Sequence, residues 1–162
     1  MKLQYTLSND DEILDFATNE QPFEFVMGQG QVVPTAEGSG FVWDMNGHIV
    51  TNNHVVDAVN RETLVGRLSD GREVPARVVG ADDWTDIAVV RLIGTSDVAV
   101  LKRGAPVAKG AQVMGVGFGS VFPSMPSAKV GTVRGLGGTI QTLRDYPLSG
   151  LIEHDVLLSP GD

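Results

Sequence analysis

Two short segments carry side chains suited to holding and moving a proton, and a third follows them in order. In Ile49-Val50-Thr51-Asn52-Asn53-His54-Val55-Val56 an apolar strand runs into a polar break, and His54 sits at its end. A strand end is rigid, so a histidine there can be aimed into a cleft; the competing reading is a core histidine satisfied by its neighbours. Thirty-two residues on, Thr85-Asp86-Ile87-Ala88-Val89-Val90 sets an aspartate at the head of an apolar run. A buried carboxylate can accept Nδ1–H of a histidine, fix its tautomer and stabilise the imidazolium. A turn cap or a surface acid fits Asp86 equally well at this point. The third segment, Ser159-Pro160-Gly161-Asp162, is by itself only a turn.

Short strands joined by tight turns must position these residues. Gly38 to Asp44 meets His48 to Asn52 across Asn46-Gly47, a strong hairpin signal. Thr63 to Leu68 and Glu73 to Gly80 form a second pair around Asp70-Gly71, and Asp86 to Leu92 adds a strand rich in β-branched residues. This spacing predicts a small closed barrel. After Leu92 the pattern loosens until Gln112 to Gly117, Lys129 to Leu136 and Leu151 to Asp155. Between these strands lie two expected loops, Phe118 to Ala128 and Gly137 to Gly150. The chain thus divides into a lead-in (1–31, with a turn or two of helix at Glu12 to Phe16), a first barrel (32–103) and a second unit (104–162). Three strands are too few to close a barrel of about six, so the second barrel reads as incomplete.

Composition narrows the functions open to such a fold. The 162 residues are 42% hydrophobic and 20% charged, the profile of a globular protein, and twenty glycines spread along the chain suggest the many tight turns of an all-β domain. Net charge is −8, and no Lys/Arg cluster interleaves with aromatics, which argues against nucleic acid as a partner. Asp10-Asp11 and Asp82-Asp83 read as solvated surface. There is no cysteine to form a disulfide or act as a thiol nucleophile. No apolar run approaches the ~20 residues of a membrane span, and the first residues lack the apolar core of a signal peptide. His48, His54 and His154 have no metal-ligand spacing, so no metal or cofactor is expected.

Taken in order, these segments resemble the HtrA (Deg) branch of the trypsin-like serine proteases. The resemblance rests on Gly38-Ser39-Gly40-Phe41, Thr51-Asn52-Asn53-His54-Val55-Val56, Asp70-Gly71-Arg72, Thr85-Asp86-Ile87-Ala88 and Ser159-Pro160-Gly161-Asp162. It covers roughly residues 20 to 162. It implies an all-β fold of two perpendicular β-barrels, the first complete here and the second truncated, with the active site in the cleft between them. By the same resemblance His54 is the general base, Asp86 its orienting partner, and Gly161 supplies one N–H of the oxyanion hole. The nucleophilic serine is expected immediately after Asp162. Asp162 stands where this branch more often has Asn. Neither Ser39 nor Ser159 matches a nucleophile position.

The resemblance implies an endopeptidase working through an acyl-enzyme on unfolded or misfolded polypeptides, in an extracytoplasmic or periplasmic setting. It also implies cleavage after small aliphatic residues and a homotrimer built through the N-terminal segment, where Phe16, Phe23 and Phe25 offer apolar contacts. PDZ domains follow the protease domain in the family, and Gly137 to Gly150 falls where it places a regulatory loop. The 162 residues alone are expected to be inactive. Two other readings stand beside this one: a chain broken at the nucleophile with a second polypeptide completing it, and a non-catalytic peptide-binding module.

Overall fold

Alternation of apolar and polar residues over four to ten positions, cut by glycine, asparagine and aspartate, produces strands rather than helices. In the computed structural model the described residues are 38–57, 64–68, 72–94, 97–118, 127–142 and 144–159, together with the backbone of 23–27. The elements are β1 (Phe23–Met27), β2 (Ser39–Val42), β3 (His48–Asn52), α1 (Asn53–Asp57), β4 (Leu64–Arg67), β5 (Glu73–Asp82), β6 (Ile87–Leu92), β7 (Gln112–Gly117), β8 (Ser127–Gln141) and β9 (Pro147–His154). The fold is all-β, as expected.

The first six strands close into an antiparallel barrel in the order β1-β2-β3-β6-β5-β4. Closure comes from β1, which pairs with both β2 and β4. This strand lies inside the segment read as a lead-in. Its backbone is a stave of the barrel, and it removes the two edges that β2 and β4 would otherwise expose. The Glu12 to Phe16 helix falls outside the described residues, as does Phe16; the side chains of Phe23 and Phe25 do too.

Inward-facing residues of β2 to β6 meet in one core. Ile49 and Val90 are fully buried and packed with Val42, Val55, Val56, Leu64, Val74, Ala88 and Leu92. Strand β6 shows the pattern most clearly, with Ala88, Val90 and Leu92 inside and Arg91 outside. Strand β5 carries one unpaired residue against β6, because Val78 pairs with Val90 and Gly80 with Val89. Such a bulge bends its strand and increases local twist. Here it carries the end of β5 to Asp82, directly before the turn that holds Asp86.

The second unit is an open sheet in the order β7-β8-β9, with Val113, Val133 and Val156 as its core. It differs from expectation at Gly137 to Gly150, which is a hairpin rather than a loop. β8 runs to Gln141, β9 starts at Pro147, and Leu136 pairs with Ile152 and Ile140 with Leu148. Glycines 135, 137 and 138 hide the strand periodicity, and three register shifts absorb them. Cross-strand apolar pairs decide the outcome over local propensity.

Residues 155–158 leave β9 and lie back across β7 and β8. Gly115 and Gly131 are the seats for this crossing. A β-carbon on Gly131 would stand 2.6 Å from the Val156 nitrogen, and one on Gly115 would stand 2.7 Å from Leu158. Backbone cannot give way as a flexible side chain does. Gly131→Ala is therefore expected to destabilise the protein by about 1–3 kcal/mol, read from the midpoint of a urea melt.

Asp155 ties the same crossing to β8. Its Oδ1 accepts from Thr132 N–H at 2.6 Å, and its Oδ2 accepts from Arg134 Nε at 2.7 Å and from the Arg134 terminal nitrogen. The Thr132 N–H, and next the Arg134 side chain, hold this carboxyl below its ordinary value of 3.8. His48 does the same for Asp44 in the β2–β3 turn, and the Thr85 hydroxyl for Asp82. A depressed carboxyl stabilises the fold fully above its unfolded value, and that contribution disappears as pH falls through the lower folded value. The melting temperature is expected to hold in neutral buffer and to drop as pH goes below 3.8. Asp155→Asn should flatten part of that drop in a thermal-melt series.

Candidate active site

His54 is the second residue of α1, and its neighbours aim it. Val55 and Val56 are 3% and 0% exposed and anchor the short helix in the barrel core. With those two positions turned inward, the His54 ring is left outward, its side chain 58% exposed. A core histidine is thereby excluded.

Asp86 is not the first residue of β6, as the sequence suggested; Ile87 is. Asp86 closes the preceding turn with φ at 59°, in the left-handed region that aspartate enters more readily than most residues. That conformation points both its carbonyl and its carboxylate at the end of β3. The carbonyl accepts from Asn53 N–H at 3.0 Å. Oδ1 accepts from His54 N–H at 2.9 Å, and Oδ2 lies 2.8 Å from His54 Nδ1. At 18% side-chain exposure the carboxylate is largely shielded from water.

The pairing settles which ring nitrogen does what. An ionised carboxylate only accepts, so Nδ1 carries the proton and Nε2 holds a free lone pair. Nε2 belongs to the exposed ring and can take a proton from a group placed before it. The arrangement can serve as a general base oriented from behind by a carboxylate.

The β3–α1 corner supplies a contact that motif reading overlooked. Asn52, 6% exposed, donates through Nδ2 to the Asp86 carbonyl at 3.1 Å and to Asp86 Oδ2 at 3.2 Å. The available signal was a strand ending on a residue poorly suited to strands, inside the polar break already noted. Asp82 receives Trp84 N–H and the Thr85 hydroxyl and so shapes the same turn. Asp83 pairs with Arg144 at 2.5 Å, and Trp84 meets Tyr146 edge to face. The β8–β9 turn therefore touches the turn that ends on Asp86. The barrel also meets the segment after β7 where Phe118 N–H donates to Ser39 Oγ at 2.8 Å.

The remaining sequence candidates fall elsewhere. His48 pairs with Asp44 at 2.8 Å at the start of β3, and His154 ends β9 and accepts from Val156 N–H. Both are strand residues with partners of their own. Ser159 Oγ accepts from Lys129 Nζ at 2.7 Å. Gly161 and Asp162 lie outside the described residues. Among the described residues no group of His, Asp and Glu could hold a metal ion, and no helix is long and apolar enough to cross a membrane.

A family model described as a trypsin-like peptidase domain matches residues 38–162. The chain belongs to the trypsin-like peptidases, and within them to the HtrA/Deg type. It is 30% identical over 159 residues to a "Probable periplasmic serine endoprotease DegP-like" of Marinomonas sp., covering 95% of this chain and 32% of that protein. A protein of the same description from Pseudomonas savastanoi pv. phaseolicola is 35% identical over 125 residues, 77% of this chain and 25% of the relative. "Protease Do-like 1, chloroplastic" of Arabidopsis thaliana is 34% identical over 136 residues, 80% of this chain and 30% of the relative. The chain thus spans about a quarter to a third of the length of these relatives.

Proposed function

We propose that these residues are the histidine- and aspartate-bearing part of a serine endopeptidase that cleaves unfolded polypeptides outside the cytoplasm. The observation that carries this reading is the 2.8 Å contact between His54 Nδ1 and Asp86 Oδ2, with the ring's other face open. His54 is the general base, Asp86 its orienting partner, and a serine following Asp162 the nucleophile. The N–H of Gly161 and that of the serine form the oxyanion hole.

The serine Oγ attacks the scissile carbonyl as His54 Nε2 takes its proton, and the carbonyl oxygen becomes an oxyanion held by the two N–H groups. Collapse of the tetrahedral intermediate breaks the C–N bond, and the leaving amine takes the proton from His54. Water, deprotonated by His54, then attacks the acyl-enzyme and restores the serine. Asp86 stays ionised throughout and balances the imidazolium. Relatives described as periplasmic support the extracytoplasmic setting, and a homotrimer through the N-terminal segment belongs to the same proposal.

A fluorophosphonate probe tests this. The protein extended through the serine should label at that serine, as found by peptide mapping, and should degrade unfolded casein. A polypeptide of these 162 residues alone should do neither. An extended protein that binds unfolded casein yet fails to label would instead be a non-catalytic peptide-binding module.

A further inference from the structure

Asn52 is a buried amide at the last position of β3, opposite Ile87 in the β3–β6 register. That register sets it beside Asp86, the residue before Ile87. Its Nδ2 donates to two acceptors of that one residue, the carbonyl and Oδ2. Oδ2 is also the oxygen facing His54 Nδ1. An amide that bridges backbone and side chain of a single residue locks the torsions between them. Here those torsions, ψ, χ1 and χ2 of Asp86, decide whether Oδ2 faces the imidazole or swings away, in a residue whose φ of 59° already costs free energy.

We propose that Asn52 is a positioning residue for the His54–Asp86 pair. It acts through Asp86 and touches no substrate. The inference rests on the serine endopeptidase reading above and names how that site keeps its geometry. Oδ1 is held by His54 N–H and Oδ2 by Asn52, so the carboxylate has one orientation relative to the ring. Without the amide, Oδ2 loses a donor held in place by a buried side chain, and the ring it steadies is itself exposed.

The test uses the serine-bearing protein and peptide hydrolysis. Asn52→Ala should lower kcat by about 10- to 100-fold, the scale of a small misplacement of a catalytic group, and leave KM nearly unchanged. Asn52→Asp keeps the side-chain outline but presents an oxygen where Nδ2 donated, and should lose at least as much. In an Asp86→Asn background, Asn52→Ala should cost nothing further, because the group it positions is no longer a carboxylate. Melting curves accompany each protein, and Asn52→Asp decides the matter if Asn52→Ala does not fold. Unchanged kcat in the folded variants, or an equal loss with and without the Asp86 carboxylate, overturns the role of Asn52. A wild-type protein that fails to label with fluorophosphonate overturns the endopeptidase reading itself, and this inference with it.

Discussion

His54→Ala in the serine-bearing protein is expected to cut kcat by about a million-fold while leaving the fold intact. Loss of the general base alone costs on that order, because the nucleophile, base and orienting group act as a unit. Stability should scarcely change. The His54 side chain is 58% exposed, whereas the residues that hold α1 in place are Val55 and Val56, buried in the barrel core. The imidazole's one side-chain hydrogen bond, to Asp86, is lost, but water can reach the carboxylate once the ring is gone. Steady-state hydrolysis and thermal melts on the same preparations would check the pair of expectations. A variant that melts like the wild type and retains more than a hundredth of its activity would remove His54 from the mechanism.

Asp86→Asn is expected to lower kcat by about 10⁴-fold, again with a modest effect on stability. Asparagine tolerates the left-handed backbone that Asp86 adopts at φ 59°, so the turn should survive. What changes is the direction of the hydrogen bonds. Oδ1 and Oδ2 now accept from His54 N–H, His54 Nδ1 and Asn52 Nδ2. An amide offers one acceptor and one donor in their place. If its oxygen stays with the backbone N–H, its NH₂ faces Nδ1, which must then become an acceptor. The proton moves to Nε2, the nitrogen that has to receive one from the serine. The ring is held in the wrong tautomer, and no negative charge remains to balance an imidazolium. Asp86→Ala should lose a similar factor in rate and more in stability, since alanine is strained at positive φ and leaves the Asn52 amide short of an acceptor. Comparing kcat and melting temperature across the two variants separates the electrostatic role from the structural one.

Much of the architecture was legible in local signals. His48–Asn52 and Gln112–Gly117 are strands over the very residues assigned to them from the sequence, and the Asn46-Gly47 turn joins β2 to β3. Periodicity and turn chemistry are properties of a few adjacent residues, so they can be read without the fold. The distal part of the β8–β9 hairpin, residues 137–150, could not. Gly135, Gly137 and Gly138 erase the alternation there, and only the pairing of Leu136 with Ile152 and of Ile140 with Leu148 makes strands of it. β1 was hidden for a related reason, since its place depends on partners at residues 39–40 and 64–67 rather than on its own pattern.

The site divides along the same line. By itself the sequence determined the candidates and their order: a histidine after a strand, an aspartate before one, and the Ser159-Pro160-Gly161-Asp162 segment behind them. Order and residue type are one-dimensional facts, and together they were enough to name a family. Only the tertiary structure decided that Asp86 sits in a left-handed turn, that its carboxylate reaches His54 Nδ1 at 2.8 Å, and that Asn52 holds it there. Those contacts cross thirty-two or more residues of chain and depend on the register of β3 against β6. A shift of that register by one residue would turn Asn52 to the other face of the sheet and part it from Asp86.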